Sequence, residues 1–350
     1  MAVSIDPKLK KELAKEDLTY SSDKTPGFFR QKSGRKNFIY YDLVGHKIRD
    51  KKILERIDSL GIPPAWENVW ICPRASGHMQ VTGIDEKRRK QYIYHPDWVK
   101  LSQQNKFSKI IDFGESLPYI RSSVRHNMLE NGHSKKKITA TIIWLLENTF
   151  IRIGNEEYAS ENDSFGLTTL RNKHVEVKGN EIKFDFKGKS GVQHEIEISN
   201  PVVAKTVKKC IELPGYELFQ FIGDDGDRHV VDSSDVNMFL KDVTGDDFTA
   251  KDFRTWGGTS IAANNFYQIG HEENKTARKK KVVETIKKVA SQLGNTVAVC
   301  RSYYIHPTVF QTYDNNILVP HFAYYEHSKP QKRGLSWDEY SLIRLLQKYP

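Results

Sequence analysis

The stretch HVEVKGNEIKFDFKGKSGVQHEIEI (His174–Ile198) reads as three short strands in succession. Apolar and charged residues alternate along His174–Val177, Glu181–Phe186 and Gln193–Ile198, the two-residue period of strands with one buried face. Lys178-Gly179-Asn180 and Gly188-Lys189-Ser190-Gly191 supply the turns between them. On either side the pattern changes to helical spacing. Helices are expected upstream over Ile111–Asn131 and Lys135–Phe150. Downstream they are expected over Pro201–Glu212, Ser234–Lys241, Ala250–Gln268 and Lys275–Gln292. Ser336–Lys348 reads as an amphipathic helix packed back on the body. The outcome is a mainly helical region interrupted by one three-stranded insertion.

The first hundred residues have another texture. A short helix is expected at Pro7–Glu16, then loop as far as residue 36. Asn37–Asp42 reads as a strand. Asp50 can cap a helix over Lys51–Leu60, Gly61 stops it, and Pro63-Pro64 break the chain. Val69–Cys72, His78–Thr82 and Gln91–Tyr94 are short strands between Gly, Pro and charged turns. The fold class is therefore α+β. A small sheet-containing domain is expected over 1–105, and a larger, mainly helical one over 106–350. The junction is placed at Asn105–Ile110. At 350 residues each domain can bury its own core.

Net charge is +10, and the cations come in clusters: Lys87, Arg88, Arg89 and Lys90; Lys135, Lys136 and Lys137; Arg278, Lys279, Lys280 and Lys281. Such clusters suit a partner of dense negative charge. No apolar run approaches the ~20 residues that span a bilayer. The N-terminal MAVSIDPKLKKELAKEDL lacks the apolar centre of a secretory signal, so a cytoplasmic, nucleoid-associated location is expected. Cys72, Cys210 and Cys300 form no CxxC pair and read as reduced thiols, neither a disulfide framework nor a zinc site. There is no GxxxxGK[ST] loop and no acidic cluster for two-metal cleavage, so neither a nucleotide nor a metal cofactor is expected.

Several residues sit oddly for a simple core. Arg152, in TFIRIGNEEY (Thr149–Tyr158), lies inside an apolar run. A buried arginine has to be paired, by a structural carboxylate or by an anionic ligand. Lys189 is on the tip of a hairpin, where a solvated turn is the ordinary reading. Arg254, in AKDFRTWGGT (Ala250–Thr259), is near a helix start, where its guanidinium and the free amides can hold a phosphate. Asn295 and Tyr304 lie in LGNTVAVCRSYYIHP (Leu293–Pro307).

The order Arg, Lys, Arg, Asn, Tyr resembles the type IB DNA topoisomerases, specifically their compact poxvirus-like and bacterial branch. The resemblance covers most of residues 30–310. It is carried by PPAWENVWICPRASGHMQVTG (Pro63–Gly83) and RKQYIYHP (Arg89–Pro96), then by FIRIGNEEY, GLTTLRNKHV (Gly166–Val175), FKGKSG, KDFRTWGG and RSYYIHP. It implies the fold shared by these enzymes and the tyrosine recombinases. It also implies a catalytic set of Arg152, Lys189, Arg254 and Asn295 around Tyr304 as nucleophile. The guanidinium groups would hold the nonbridging oxygens, and Lys189 would protonate the leaving 5′-hydroxyl. Many relatives carry histidine where this chain has Asn295; either side chain can donate one hydrogen bond, but asparagine does not titrate. Tyr303 and Tyr304 would point ~100° apart on a helix. The spacing to Pro307 and Asn295 selects Tyr304, by resemblance alone.

Tyr92 and Tyr94 share one face of an expected strand, beside Arg89 and Lys90. The resemblance implies that this strand faces the major groove, with Gln91 reading adenine. Strand alternation nevertheless puts Gln91 opposite the tyrosines unless a bulge intervenes. Lys251 is a second candidate phosphate contact. The partner is expected to be duplex DNA, clamped by the two domains of a monomer, with no membrane and no nucleotide. His78 is read as satisfying a local backbone bond. The same cleavage chemistry would serve a tyrosine recombinase. Lys251 stands where recombinases typically show histidine, and the N-terminal sheet disfavours that reading too. A non-catalytic DNA-binding protein would need no nucleophile.

Overall fold

In the computed structural model, which describes residues 7–34, 37–156, 159–160, 163–223, 225–328 and 333–349, the chain forms two units, Met1–Lys106 and Phe107–Pro350. The first is built on a five-stranded antiparallel sheet of order β2-β1-β3-β4-β5. Its strands are β1 (Phe28–Ser33), β2 (Asn37–Tyr41), β3 (Glu67–Ile71), β4 (Met79–Ile84) and β5 (Lys90–Tyr94). Helix α1 (Pro7–Lys15) precedes them. Helix α2 (Lys51–Ser59) starts where Asp50 accepts hydrogen bonds from the amides of Lys52 and Ile53. Ile57 of α2 is buried in one cluster with Phe28, Ile48, Val69, Ile71 and Val81.

Strand β1 falls where loop was expected. Its sequence, FFRQKS, has too little alternation to announce a strand. Pairing on both edges creates it, with Phe29 opposite Tyr41 on β2 and Phe28 opposite Ile71 on β3.

The helix expected from Ile111 begins much earlier, as α3 (Pro96–Met128). Asn105–Ile110, read as a junction, is helical. Pro96 occupies the first position, where its fixed φ suits a helix, and Asp97 complements the dipole. The polar run of Gln, Asn and Ser that follows had hidden this extension. Helix α4 (Lys135–Thr149) is capped by Ser134 and is apolar on nearly every side; Ile138, Ala140, Ile142, Ile143, Leu145 and Leu146 are all buried. A helix of that kind belongs at the centre of its unit.

The three-stranded sheet is present as β6 (Val175–Lys178), β7 (Glu181–Lys187) and β8 (Gln193–Ser199), antiparallel and in that order. Ile182, Phe184 and Phe186 form its buried face. Helix α5 (Pro201–Glu212) follows, then a hairpin of β9 (Gln220–Ile222) and β10 (Arg228–Val230) too short for its pattern to be read. The remaining helices are α6 (Ser233–Thr244), α7 (Ala250–Ile269), α8 (Lys275–Leu293), α9 (Val297–Tyr303), α10 (Pro307–Asp314), α11 (Leu318–Ser328) and α12 (Trp337–Lys348).

Only the last of these was expected beyond Pro307. Helices α10 and α11 are short, and Tyr313 and Phe322, both fully buried, anchor them in the core. Helix α12 is tied back by Arg121 of α3, which bridges Glu147 of α4 at 2.7 Å and Glu339 at 2.6 Å. Among the described residues no helix is long and apolar enough to cross a membrane, and the three cysteines are buried and free.

Candidate active site

Helix α4 ends at Phe150, whose left-handed φ of 54° turns the chain out of the helix. The backbone of the next residues is pinned by two hydrogen bonds, Leu167 N–H to Arg152 O at 2.9 Å and Thr168 N–H to Ile153 O at 2.7 Å. Gly166 permits this approach, because a Cβ there would lie 2.5 Å from the Arg152 carbonyl oxygen. Helix α7 meets the same place with two successive glycines. A side chain at Gly257 would collide with the Phe150 ring, and a Cβ at Gly258 would stand 2.6 Å from the Tyr304 carbonyl oxygen. Glycine inside a helix costs about 1 kcal/mol relative to alanine. Here it lets three segments close on one point.

Arg254, 4% exposed, fills that point. Its Nη1 donates to the Phe150 carbonyl and its Nη2 to the Leu293 carbonyl, the latter at 2.7 Å. Arg152 reaches the same loop, donating from Nη2 to Gly294 O at 3.1 Å and to Asn295 Oδ1. Burial, and then the charge of Arg254, hold the Arg152 guanidinium down to about 10. Among the described residues both arginines are held by neutral oxygens, with no carboxylate in an ion pair with either. Of the two partners a buried arginine can have, a structural carboxylate is not found among the described residues. An arginine can only donate, so Asn295 must present Oδ1 to it and keep Nδ2 as a donor. Asn295 Nδ2 and Arg254 Nε are both buried N–H groups without a protein acceptor among the described residues.

Tyr304 closes α9. Its amide donates to Cys300 O at 3.0 Å, and its carbonyl accepts from Thr259 Oγ1 at 3.2 Å. The ring lies 5.2 Å from the Arg254 guanidinium carbon. Burial alone would raise the phenol's pKa. The charge of Arg254 and a hydrogen bond from it, with the charges of Arg152 and Lys251, outweigh that and bring it below the usual 10. Tyr303, by contrast, is 42% exposed. The fold thus separates the neighbours: Arg254, Arg152 and Lys251 act on Tyr304, and Asn295 holds Arg152. Lys189 is solvent-exposed on the turn between β7 and β8, where Ser190 and Gly191 both take positive φ.

In the first unit Tyr92 and Tyr94 are 41% and 40% exposed, and their rings stack at 6.0 Å. Lys90 pairs with Asp23 at 2.6 Å, and Arg89 with Asp85 at 2.7 Å. Gln91 lies opposite Gly83 in the ladder, on the other face from the tyrosines, and donates to Asp85 Oδ2 at 2.9 Å. The bulge that would have turned it round falls elsewhere, between Met79 and Val81 on β4. His78 is buried, with Nδ1 taking the Ser21 amide at 3.1 Å, a backbone bond as expected but to a residue distant in sequence rather than local.

The catalytic core of eukaryotic DNA topoisomerase I matches residues 93–325, and the N-terminal domain of bacterial DNA topoisomerase IB matches residues 37–85. DNA topoisomerase 1B of Acanthamoeba polyphaga mimivirus is 32% identical over 330 residues, which cover 92% of this chain and 95% of that protein. The chain belongs to the type IB DNA topoisomerases. DNA topoisomerase 1B of vaccinia virus (strain Copenhagen) is similar at 27% identity over 261 residues, covering 72% of this topoisomerase IB and 78% of the viral one.

Two residues of this topoisomerase IB site were not singled out from its sequence. Thr259 links the Tyr304 carbonyl to the next turn by accepting from the His306 amide at 3.1 Å. His194 of β8 lies beside the glycines that precede Lys189 and Asn295. Neither carries a local pattern. Only the histidine's place five residues after a turn lysine, on a strand running back toward the core, could have drawn notice.

Proposed function

We propose that this protein relaxes supercoiled duplex DNA by cutting one strand with Tyr304 and resealing it. The observation that carries this is the pair of buried guanidinium groups. Neutral oxygens hold them beside a half-buried phenol, with the N–H donors of Arg254 Nε and Asn295 Nδ2 left over. Unsatisfied buried donors cost roughly 1–3 kcal/mol each. A phosphodiester would satisfy both.

The Tyr304 phenol first loses its proton to solvent, and the phenolate oxygen then attacks phosphorus in line with the 5′ oxygen. Arg152, Arg254 and Asn295 take up charge on the nonbridging oxygens. Lys189 hands a proton to the departing 5′ oxygen, the P–O5′ bond breaks, and the products are a 3′-phosphotyrosyl bond and a free 5′-hydroxyl. That bond keeps the phosphodiester's free energy, so resealing is the reverse step and needs no ATP. The cations of the chain do what a metal would do elsewhere. While the strand is open, the downstream duplex rotates about the intact one.

The exposed Tyr92–Tyr94 face, with Arg89, Lys90 and Lys251, contributes DNA contacts. Gln91 joins them only by releasing Asp85. The larger unit is read as having the fold that these enzymes share with tyrosine recombinases, and the protein as acting as a monomer on nucleoid DNA in the cytoplasm.

Supercoiled plasmid incubated with the protein in EDTA, without ATP, should yield a ladder of relaxed topoisomers. Persistence of the supercoils at high enzyme and moderate salt sinks this reading. Trapping the adduct on a nicked substrate and sequencing the modified peptide tests nucleophile and polarity together.

A further inference from the structure

We propose that His194 is a positioning residue for departure of the 5′ oxygen, its ring being the spacer that sets the Lys189 turn relative to the Arg152–Asn295 pair. The inference rests on the reading of Lys189 as the general acid. On β8, His194 stands opposite Phe186 of β7, and the two rings stack at 5.1 Å with 17° between their planes.

Two further neighbours of the imidazole are glycines. A Cβ at Gly188 would stand 2.6 Å from His194 Cδ2, and one at Gly294 would collide with Cε1. The ring is therefore in contact with main chain on two sides. One contact immediately precedes Lys189. The other immediately precedes Asn295, whose side-chain oxygen takes Arg152.

Lysine is a long, flexible side chain, and its ammonium is placed no better than the turn that carries it. That turn is closed by Gly188 N–H to Val192 O at 2.8 Å and Gly191 N–H to Gly188 O at 3.0 Å. His194 follows Val192 by two residues, so the closed turn and the ring move together. Burial, then the charges of Arg152 and Arg254, hold this imidazole's pKa below its usual 6.5. A neutral, flat ring adds no third cation beside the two arginines. The required property is thus planar bulk between two backbones, which phenylalanine shares and alanine lacks. Misplacing a reacting group by ~1 Å can cost on the order of 100-fold in rate.

The test is single-turnover cleavage at a site mapped with the unaltered protein. Two substrates are used, one normal and one with sulfur replacing the bridging 5′ oxygen at the scissile bond. A thiolate leaves without a proton, so the second substrate needs no general acid. Thermal melting of each variant accompanies the rates. His194→Ala should slow the oxygen substrate by ~30-fold or more and come within about threefold of the unaltered protein on the sulfur substrate. His194→Phe should stay within about threefold on both.

The inference is overturned by any of three results. His194→Ala could leave the oxygen substrate unaffected, it could slow both substrates alike, or His194→Phe could be as slow as His194→Ala. Lys189→Ala separates the two levels. If sulfur rescues Lys189→Ala but not His194→Ala, the spacer role falls and the general acid stands. If sulfur fails to rescue Lys189→Ala, the general-acid reading falls and takes the spacer role with it.

Discussion

Arg254 is bound at both ends of its guanidinium fork to main-chain carbonyls, those of Phe150 and Leu293, and from there faces the Tyr304 ring at 5.2 Å. Its position is thereby set by the ends of α4 and α8 rather than by a carboxylate, and its charge remains available to the phenol. A lysine could not span both carbonyls and still present a planar face to the ring.

The rising limb of cleavage rate with pH should therefore break below the ordinary phenol value of about 10. The sign follows from the cations. Arg254, Arg152 and Lys251 favour the phenolate, and together they outweigh the burial that disfavours it. Taking one away weakens the phenolate and moves the break to higher pH. Lys251→Ala is the mildest such change, since Lys251 is exposed whereas the two arginines are built into the cradle. Single-turnover rates of the variant between about pH 6 and 10 should show the upward shift. A break that stays put or falls removes Lys251 from the account.

Tyr304→Phe should abolish the covalent DNA adduct while leaving DNA binding and melting temperature near those of the unaltered protein. Tyr303→Phe should form the adduct at close to the normal rate. The contrast rests on the exposure of Tyr303 and the half-burial of Tyr304 against Arg254. Denaturing gels of a nicked substrate read it directly. A reversed result would place the nucleophile one residue earlier.

The sequence made the three-stranded insertion legible because β7 alternates strictly, with Ile182, Phe184 and Phe186 inward and charges outward. Strand β1 and helices α10 and α11 were not legible, because tertiary partners rather than local period define them. Arg152 was visible as a charge in an apolar run, and Arg254 as a guanidinium near a helix start. That they share one segment, through Leu293 and Gly294, was not, since those joining groups are main-chain carbonyls common to every residue. His194 was hidden for the same reason. Its neighbours are glycines, which mark a close approach only once the approaching chain is known.

Asn295→His should keep substantial cleavage activity at neutral pH and acquire a loss on the acid side. A neutral imidazole can accept from Arg152 with one nitrogen and donate to the phosphate with the other, as the amide does. Protonation removes the acceptor and sets a second cation against Arg152. Activity should then fall as pH drops through the new histidine's pKa, within about pH 5–8. The unaltered protein lacks this titration at position 295. Asn295→Ala, which leaves Asn295's bond to Arg152 unmade, should lose roughly 10- to 100-fold across the whole range. A folded but inactive Asn295→His protein would remove Asn295 from the set.

His306 should make the larger unit acid-sensitive. It caps α10, with Nδ1 accepting from the Thr308 amide at 3.2 Å, and its ring packs edge-on to Phe107 at 5.1 Å. Burial pushes the imidazole down to about 4, against 6.5 in the unfolded chain. The folded state therefore favours the neutral ring. Its contribution to stability is complete above pH 6.5 and is lost progressively as pH falls toward 4, where the unfolded chain binds the proton and the folded one does not. His306→Asn retains a capping acceptor but cannot titrate. It should be less stable than the unaltered protein at neutral pH, through lost ring packing, and the gap should close by roughly 1–2 kcal/mol at about pH 5. Urea unfolding of both proteins at the two pH values measures the double difference. A gap that is constant or widens with acid shows that His306 is protonated in the folded state, and the buried neutral ring is then ruled out.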